Sequence, residues 1–448
     1  MLPQILLFLS LTADGAGNAL RAWDALAAAR LEAQVQRIRR AGHPASLEEL
    51  NARYHRPPKG PNAAPIYLAA FARLDAIGDQ ARELERGLPI VGERELPRPG
   101  QSLDPATVAA LRGWLALHRD ALALLHKAAG VRECRFPLDL TKGFALEVPH
   151  LARMRQAVRL LALEAIEAAS RGDGKAVAGA MVAALRASRA LRSEPILMSA
   201  LVRTACDSIT VETLQWCLGV TRPPGPALLP VQRLLAAEAT ENFILDAMIG
   251  ERCFGIGAWK QLEKDAGRDL AAALGGGLRA PLGLGLIPRA LWNTDKAFYL
   301  RMMNDYVDAL SLPAPRRYTE AALVGRNLQE RVPRWCLLSR MLLPALERVF
   351  QVAQRNAARC STAAVAVACL RYRARKGRFP DDLGHLVPEF IEAVPLDPFN
   401  GKPLRYRKRR GGIVVYSVGK NLRDDGGRMK DRRGPDIAFR IVPRRASF

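Results

Sequence analysis

An acidic stretch near the C-terminus carries the residues whose types and spacing best suit a chemical role. Calcium ions take about six to eight oxygen ligands, and proteins usually supply them from one flexible loop. Oxygen-bearing side chains fall close together in this glycine-containing stretch, at Asn421, Asp424, Asp425, Asp431 and Asp436. The composition of the stretch therefore predicts a calcium site.

The same stretch has a second interpretation that needs no metal. Asp424-Asp425-Gly426-Gly427 has the composition of a turn in which an Asp side chain bonds its own backbone. Basic residues are interleaved with the acidic ones, and they would pair with the carboxylates and repel a cation. These residues are Arg423, Arg428, Lys430, Arg432 and Arg433.

The rest of the chain lacks a local pattern for catalysis. Its six histidines are scattered, and Gly275-Gly276-Gly277 has no following Lys-Ser or Lys-Thr to make a phosphate-binding loop. Neither a nucleophile elbow nor a kinase signature is present in the sequence. We therefore predict a protein that is not an enzyme.

The seven cysteines are also widely scattered. No two of them have the spacing of zinc ligands, and an odd number argues against a framework of disulfides. Most have apolar neighbours, as Cys206 and Cys369 do, so we predict buried thiols that act as small hydrophobic residues.

The charge balance favours an anionic partner. The chain holds 67 Lys and Arg against 44 Asp and Glu, a formal net charge of +23. Such a charge attracts nucleic acid, an anionic lipid surface or an acidic polymer. Arg405 and residues 407–410 cluster beside Tyr406, as phosphate binding requires, but cations on an edge strand also prevent aggregation. Specific nucleic-acid binding is the less favoured of these predictions.

A long helix should precede the acidic stretch. Apolar residues between Leu346 and Cys360 recur at spacings of three and four, which predicts one helix from about Val332 to Lys376. The following residues, 363–370, are apolar on every side of the helix, which indicates burial against several neighbours. Gly377 should end this helix.

A β-hairpin should follow the long helix. Residues 404–407 alternate between apolar and polar, Gly411-Gly412 provides a tight turn, and residues 413–418 return as a second strand. Together, the helix and the hairpin predict a small α+β domain over residues 341–448.

The sequence predicts a large α-helical domain over residues 21–340. The pattern between 151 and 219 is helical, with a turn at Arg171-Gly172-Asp173-Gly174 and a break at residues 193–195. Since no regular repeat extends along the chain, we predict a helical bundle or an irregular solenoid. The apolar run at 5–11 within residues 1–20 predicts a truncated signal or an anchor, or else an amphipathic first helix.

The C-terminal landmarks resemble, in their order and spacing, the C-terminal domain of type II secretion pseudopilins over roughly residues 343–448. These landmarks are Tyr372, Gly377-Arg378-Phe379-Pro380, Asp397-Pro398, Gly401-Lys402-Pro403-Leu404-Arg405-Tyr406 and Tyr416-Ser417-Val418-Gly419. The helical remainder looks similar to large uncharacterised envelope proteins of planctomycete-type bacteria. The resemblance implies a location in the cell envelope and a protein partner there.

The resemblance to the major pseudopilin also implies a calcium site after the strand that ends at Ser417. Matched by position, Val418 would offer its carbonyl, Asn421 would replace an acidic ligand, and Asp436 would be the later Asp. The sequence has no pseudopilin leader, so we expect no assembly as an ordinary filament subunit.

If the loop binds calcium, calcium should stabilise the C-terminal domain. We expect its melting temperature to rise on calcium titration, because an ion that binds only the folded state stabilises that state. No change in melting temperature at millimolar calcium would contradict this prediction.

Overall fold

The computed structural model describes residues 13–57, 60–76, 84–264, 289–314, 316–333, 335–428 and 435–442. Across these ranges the chain is mainly helical and carries one small three-stranded antiparallel sheet near its C-terminal end. This confirms the predicted fold class. The apolar run at 5–11 and Asp431 lie outside the described residues. No helix within them is long and apolar enough to cross a membrane.

The helical part comprises thirteen helices that precede the long C-terminal helix in the described ranges. They are α1 (Ala13–Arg40), α2 (Leu47–Tyr54), α3 (Ala64–Asp75), α4 (Pro105–Leu117), α5 (Arg119–Ala129), α6 (Pro149–Ser170), α7 (Gly174–Arg189), α8 (Leu197–Val220), α9 (Gly225–Thr240), α10 (Phe243–Lys264), α11 (Arg289–Ser311), α12 (Arg316–Arg331) and α13 (Leu337–Leu342).

Local signals set several helix boundaries. Ser46 caps α2 by accepting a hydrogen bond from the Glu49 N–H at 3.2 Å, and the Glu49 carboxylate accepts one from the Ala45 N–H. These reciprocal bonds satisfy donors that the first turn leaves free. The predicted turn between α6 and α7 is confirmed, with Gly172 at a φ of 81°.

Two neighbouring pairs of helices are separated by short breaks. Helices α4 and α5 meet at His118, where the backbone leaves helical geometry. The prediction of one helix from Val332 was wrong, because the long helix α14 is Pro344–Lys376. Pro344 lacks an N–H and suits the first turn of a new helix, so α13 ends before it.

The C-terminal end of α14 and the hairpin agree with the sequence pattern. Gly377 adopts the left-handed conformation at φ 76°, and its N–H donates to the Arg373 carbonyl. Strands β1 (Arg405–Arg409) and β2 (Gly412–Ser417) pair antiparallel around a turn at residues 410–411. A third strand that the sequence analysis missed, β3 (Ile437–Ile441), pairs with the other edge of β2.

Helix α14 belongs to both hydrophobic clusters of the described chain. Its N-terminal half, including Phe350, packs with α1, α10, α11 and α12. Its C-terminal half packs in the larger cluster with α6 to α9 and with the inner face of the sheet. Every side chain in residues 363–370 is at most 6% exposed, as the apolar pattern predicted. The helical part and the sheet therefore share one core.

A buried polar network fixes α14 against three helices of the body. Arg203 on α8 pairs with Glu238 on α9 at 2.6 Å, and both side chains are almost fully buried. Asp207 on α8 accepts a hydrogen bond from Ser188 on α7 at 2.6 Å and another from Asn356 on α14 at 2.8 Å. Burial, followed by the charge of Glu238, raises the pKa of Asp207 above its usual value.

The raised pKa of Asp207 predicts a pH-dependent stability. Its folded state holds the proton to a higher pH than the unfolded chain does, so this residue destabilises the fold progressively as pH rises above about 4. Asp207→Asn should therefore gain stability relative to the wild type over that range. The Asn356 Oδ1, which has no partner in the described structure, can accept from the new amide if the Asn356 amide flips.

Urea unfolding at a series of pH values checks this expectation. Glu212→Gln is the matched control on the same helix, because the Glu212 side chain is 61% exposed. A difference between Asp207→Asn and wild type that does not vary with pH would contradict the prediction.

Candidate functional site

The loop after β2 folds over the outer face of the sheet and places Asp424 there. The Asp424 carboxylate accepts from Arg405 Nε at 2.9 Å and from the Tyr416 hydroxyl at 2.9 Å, and Arg407 lies 3.6 Å away. Partial burial favours the neutral acid, but the Gly426 N–H, Tyr416 and the arginines outweigh it and lower the pKa of Asp424. This carboxylate is thus engaged by the sheet.

The other predicted ligands are also held by protein groups. Asn421 donates from its amide to the Asp425 carboxylate at 2.8 Å. The buried Asp436 accepts from the Gly427 N–H at 2.8 Å, and burial raises its pKa. Val418 is fully buried, and its N–H donates to an oxygen of the Asp397 carboxylate.

These residues do not fit a calcium ion in the arrangement that the structure describes. Asp424 faces two arginines, while Asp436 lies beneath the Gly427 backbone. Among the described residues, no group of three or more His, Cys, Asp or Glu is placed to hold a metal. Calcium binding, which stays a prediction, would require Asp424 to leave Arg405 and Tyr416.

Asp397 has a role that the sequence analysis did not assign. Its fully buried carboxylate accepts hydrogen bonds from the Ser417 hydroxyl and from the N–H groups of Val418 and Phe399. It thereby joins the segment after α14 to the end of β2. Asp397-Pro398 was only one landmark of the resemblance to pseudopilins, and it did not reveal these distant partners.

One histidine, His150, lies in a buried polar cluster, and the geometry of this cluster indicates a structural role and not a catalytic one. His150 Nε2 lies 3.0 Å from one oxygen of Glu194, and the Ser199 hydroxyl donates to the other at 2.5 Å. The carboxylate therefore stands between histidine and serine, whereas nucleophilic catalysis needs the serine beside the histidine. All three side chains are buried, so the cluster joins helix α6 to the start of α8.

The seven cysteines are all buried and form no disulfide, which confirms their predicted role as buried thiols. Burial raises the pKa of Cys336 to about 12 and also raises that of the Cys206 thiol. A thiol in this state is a poor nucleophile at neutral pH.

A cleft of about 1610 Å³ lies between the helical body and the sheet. Segment 90–101 forms one wall, and β3 forms the opposite wall. Helices α6, α8 and α14 contribute the remaining surface, including Trp216 and Arg359. Because both the body and the C-terminal sheet build it, this cleft is our candidate functional site.

The wall at 90–101 is held against α8 by a close backbone approach. A Cβ added at Gly219 would lie 2.6 Å from the Gly100 nitrogen, so a side chain at Gly219 would push the wall outward. At the other end of the wall, Arg94 donates to Asp104 at 2.6 Å and also to the Thr107 hydroxyl.

The cleft contains cations and buried donors for which the described residues provide no partner. The side chains of Arg98, Arg159 and Arg355 form no hydrogen bond or ion pair with any other described residue, and Arg159 Nε is buried. The indole N–H of Trp216 is also without a partner in the described structure, and this residue is only 1% exposed. Buried donors normally have partners, so these groups suit an anionic or carbonyl-bearing ligand.

Comparison with known proteins gives no relative for this chain. No protein-family model, curated protein or solved structure matches it.

Replacing Asp424 tests whether its bonds hold the loop on the sheet. Asp424→Asn should lower the free energy of unfolding at neutral pH by about 1 kcal/mol, because it weakens the bonds with Arg405 and Tyr416. Because the folded pKa is lowered, the wild-type advantage should persist above the unfolded value near 4 and disappear as pH falls below it.

Chemical unfolding at neutral and acidic pH measures this difference. Asp425→Asn provides a neighbouring control of identical charge change, since the described partner of the Asp425 carboxylate is the exposed Asn421 amide. If both variants lost the same free energy of unfolding, the bonds of Asp424 with Arg405 and Tyr416 would not stabilise the protein.

Proposed function

We propose that this protein is a non-enzymatic scaffold or interaction protein of the cell envelope. The observation that carries the proposal is the cleft in which the helical body and the C-terminal sheet provide opposing walls. A binding surface built from two parts has a fixed shape only if those parts are fixed to each other, and the shared core around α14 supplies that rigidity.

The chemistry of the chain supports binding more than catalysis. The buried thiols and the buried His150–Glu194 pair are withdrawn from any substrate. The cleft instead presents arginine side chains, which bind carboxylates and phosphates through planar, directed donors. A scaffold that holds an acidic partner uses these groups directly.

The location in the cell envelope rests on the resemblance to pseudopilins and on the apolar run at 5–11. Under this proposal, a protein partner in the envelope occupies the cleft, and an anionic lipid or polymer surface is a further contact. A cytoplasmic location is the alternative.

One observation favours a second candidate function, the binding of nucleic acid or another anionic polymer. Arg407, Arg409 and Arg410 are exposed at the hairpin on the side away from the helical body. Phosphate polymers bind such clusters in a salt-dependent manner.

Site-specific photo-crosslinking in cells, followed by fractionation, tests the main proposal. A crosslinking residue at Arg98 lies on the cleft wall, and one at the exposed Arg40 provides a control on the body away from the cleft. We expect an envelope-fraction adduct with a polypeptide from position 98 only. Recovery of the protein in the cytosol, bound to material that nuclease releases, would favour the second function instead.

A further inference from the structure

We propose that the cleft binds an acidic polypeptide segment in extended conformation, which adds to the sheet as a fourth strand beside β3. This inference rests on the proposed function, because it names the partner class of the same cleft. It is carried by the edge of β3 that faces away from β2, by arginines whose side chains have no partner among the described residues, and by the buried donors beside them.

The backbone of β3 directs hydrogen-bonding groups away from β2, and those of Ala438 have no partner among the described residues. The Arg440 N–H donates to the Gln215 side-chain carbonyl at 2.8 Å, so it points away from β2. In an antiparallel pair, residues alternate between facing the partner strand and facing away from it. Ala438, two positions earlier, must therefore direct its N–H and C=O toward the cleft as well.

The Gln215 contact also indicates what this edge binds. An amide carbonyl already accepts from the Arg440 N–H, in the manner of the backbone of a neighbouring strand. An incoming peptide would continue this pairing at Ala438, where no hydrogen bond to a described side chain is present. Addition of a strand to an exposed sheet edge is a common mode of peptide recognition.

The charges of the cleft select an acidic segment. Six arginines and four carboxylates line it, and two of those carboxylates, Glu93 and Glu95, are exposed on the wall opposite β3. Arg355 and Arg359 lie on α14, and Arg359 donates to the Ser208 hydroxyl while its ion pair with Glu212 is long, at 4.0 Å. Carboxylates that alternate along an extended peptide would reach these guanidinium groups from one face.

The dimensions favour a polymer over a small molecule. Sites for small molecules usually enclose about 300–1,000 Å³, and the 1610 Å³ cleft exceeds that range. The five residues of β3 extend over about 17 Å, and a strand beside them would pair at Ala438 and would replace Gln215 as the partner of the Arg440 N–H. A segment of about eight residues therefore covers the edge with a margin at either end.

The same features argue against nucleic acid as the occupant. Single strands bind proteins largely by stacking bases on aromatic side chains. Trp216, the tryptophan of the cleft lining, is 1% exposed and offers only its N–H, and Phe439 is also buried. A free strand edge, in contrast, matches the amides of a peptide and not a phosphate backbone.

Fluorescence anisotropy with the purified full-length protein tests the proposal. The probe is a labelled alternating Val-Glu peptide of about eight residues. One comparison peptide carries Lys in place of Glu. Two further Val-Glu peptides carry N-methyl groups on alternate residues, one on the odd-numbered and one on the even-numbered residues. In one of these two peptides, the methyl groups therefore replace the N–H donors that would face β3.

We expect the Val-Glu peptide to bind, the Val-Lys peptide not to bind, and one N-methylated register to bind at least about tenfold more weakly than the other. Arg355→Gln should weaken binding by about fivefold to tenfold, because it removes a charge-assisted bond. Arg40→Gln, an identical charge change at the exposed end of α1, should leave binding unchanged.

Ala438→Pro provides a variant aimed at the edge itself. Proline at this position removes an N–H that the pairing with β2 does not use, so the sheet should persist while strand addition fails. Thermal melting checks that the Ala438→Pro variant folds. If the variant does not fold, the N-methylated peptides test the same backbone pairing with the wild-type protein.

Equal binding of the two N-methylated registers would overturn strand addition, because charge alone would then explain the affinity. Absence of binding by the Val-Glu peptide would overturn the inference as a whole. In either case, an envelope adduct at Arg98 would leave the proposed function standing. If the purified protein bound the Val-Glu peptide but no adduct formed at Arg98 in cells, the proposed function would be contradicted. The inference about what the cleft binds would then still stand.

Discussion

The burial of α14 is the constraint on which the rest of this structure depends. This one helix completes the core of the helical body and provides the surface on which the sheet lies. Full burial of a large aliphatic side chain stabilises a fold by about 1.5–3 kcal/mol, and residues 363–370 alone supply Val365, Val367 and Leu370. The C-terminal sheet is therefore attached through a core and not through a linker.

Polar contacts give this apolar helix a specific position. Apolar side chains tolerate several ways of packing, whereas a buried hydrogen bond is satisfied in only one of them. Asn356 meets Asp207 next to the Arg203–Glu238 pair, so α14 cannot slide or rotate without leaving buried charges unpaired. Replacing a paired buried group is costly chiefly because its partner stays behind in a low-dielectric environment.

The rigid attachment has a consequence for binding. The two walls of the cleft come from segments that are far apart in the sequence, yet both rest on the same core. A preorganised cleft loses little conformational entropy when a partner enters. The acidic loop contributes to this rigidity because Asp424 fastens it to the outer face of the sheet. Strand β3 is the edge of the sheet that lines the cleft.

Local chemistry in the sequence was sufficient to predict many single elements. The turn at Gly172, the end of α14 at Gly377 and the β1–β2 hairpin each depend on residues that are neighbours in the chain. The start of α14 was also encoded locally, in Pro344, but the apolar periodicity outweighed that signal in the prediction. The mainly helical class and the burial of the cysteines follow from composition and pattern.

Tertiary structure alone decided which residues meet. Strand β3 is separated from β2 by residues 418–436, so neighbouring residues in the chain did not reveal that the two strands pair. The loop carboxylates that composition suggested as metal ligands are engaged by Arg405, Tyr416 and backbone N–H groups instead. The cleft was equally invisible in the sequence. Backbone preferences act between neighbours, whereas the pairing of distant side chains depends on how the whole core packs.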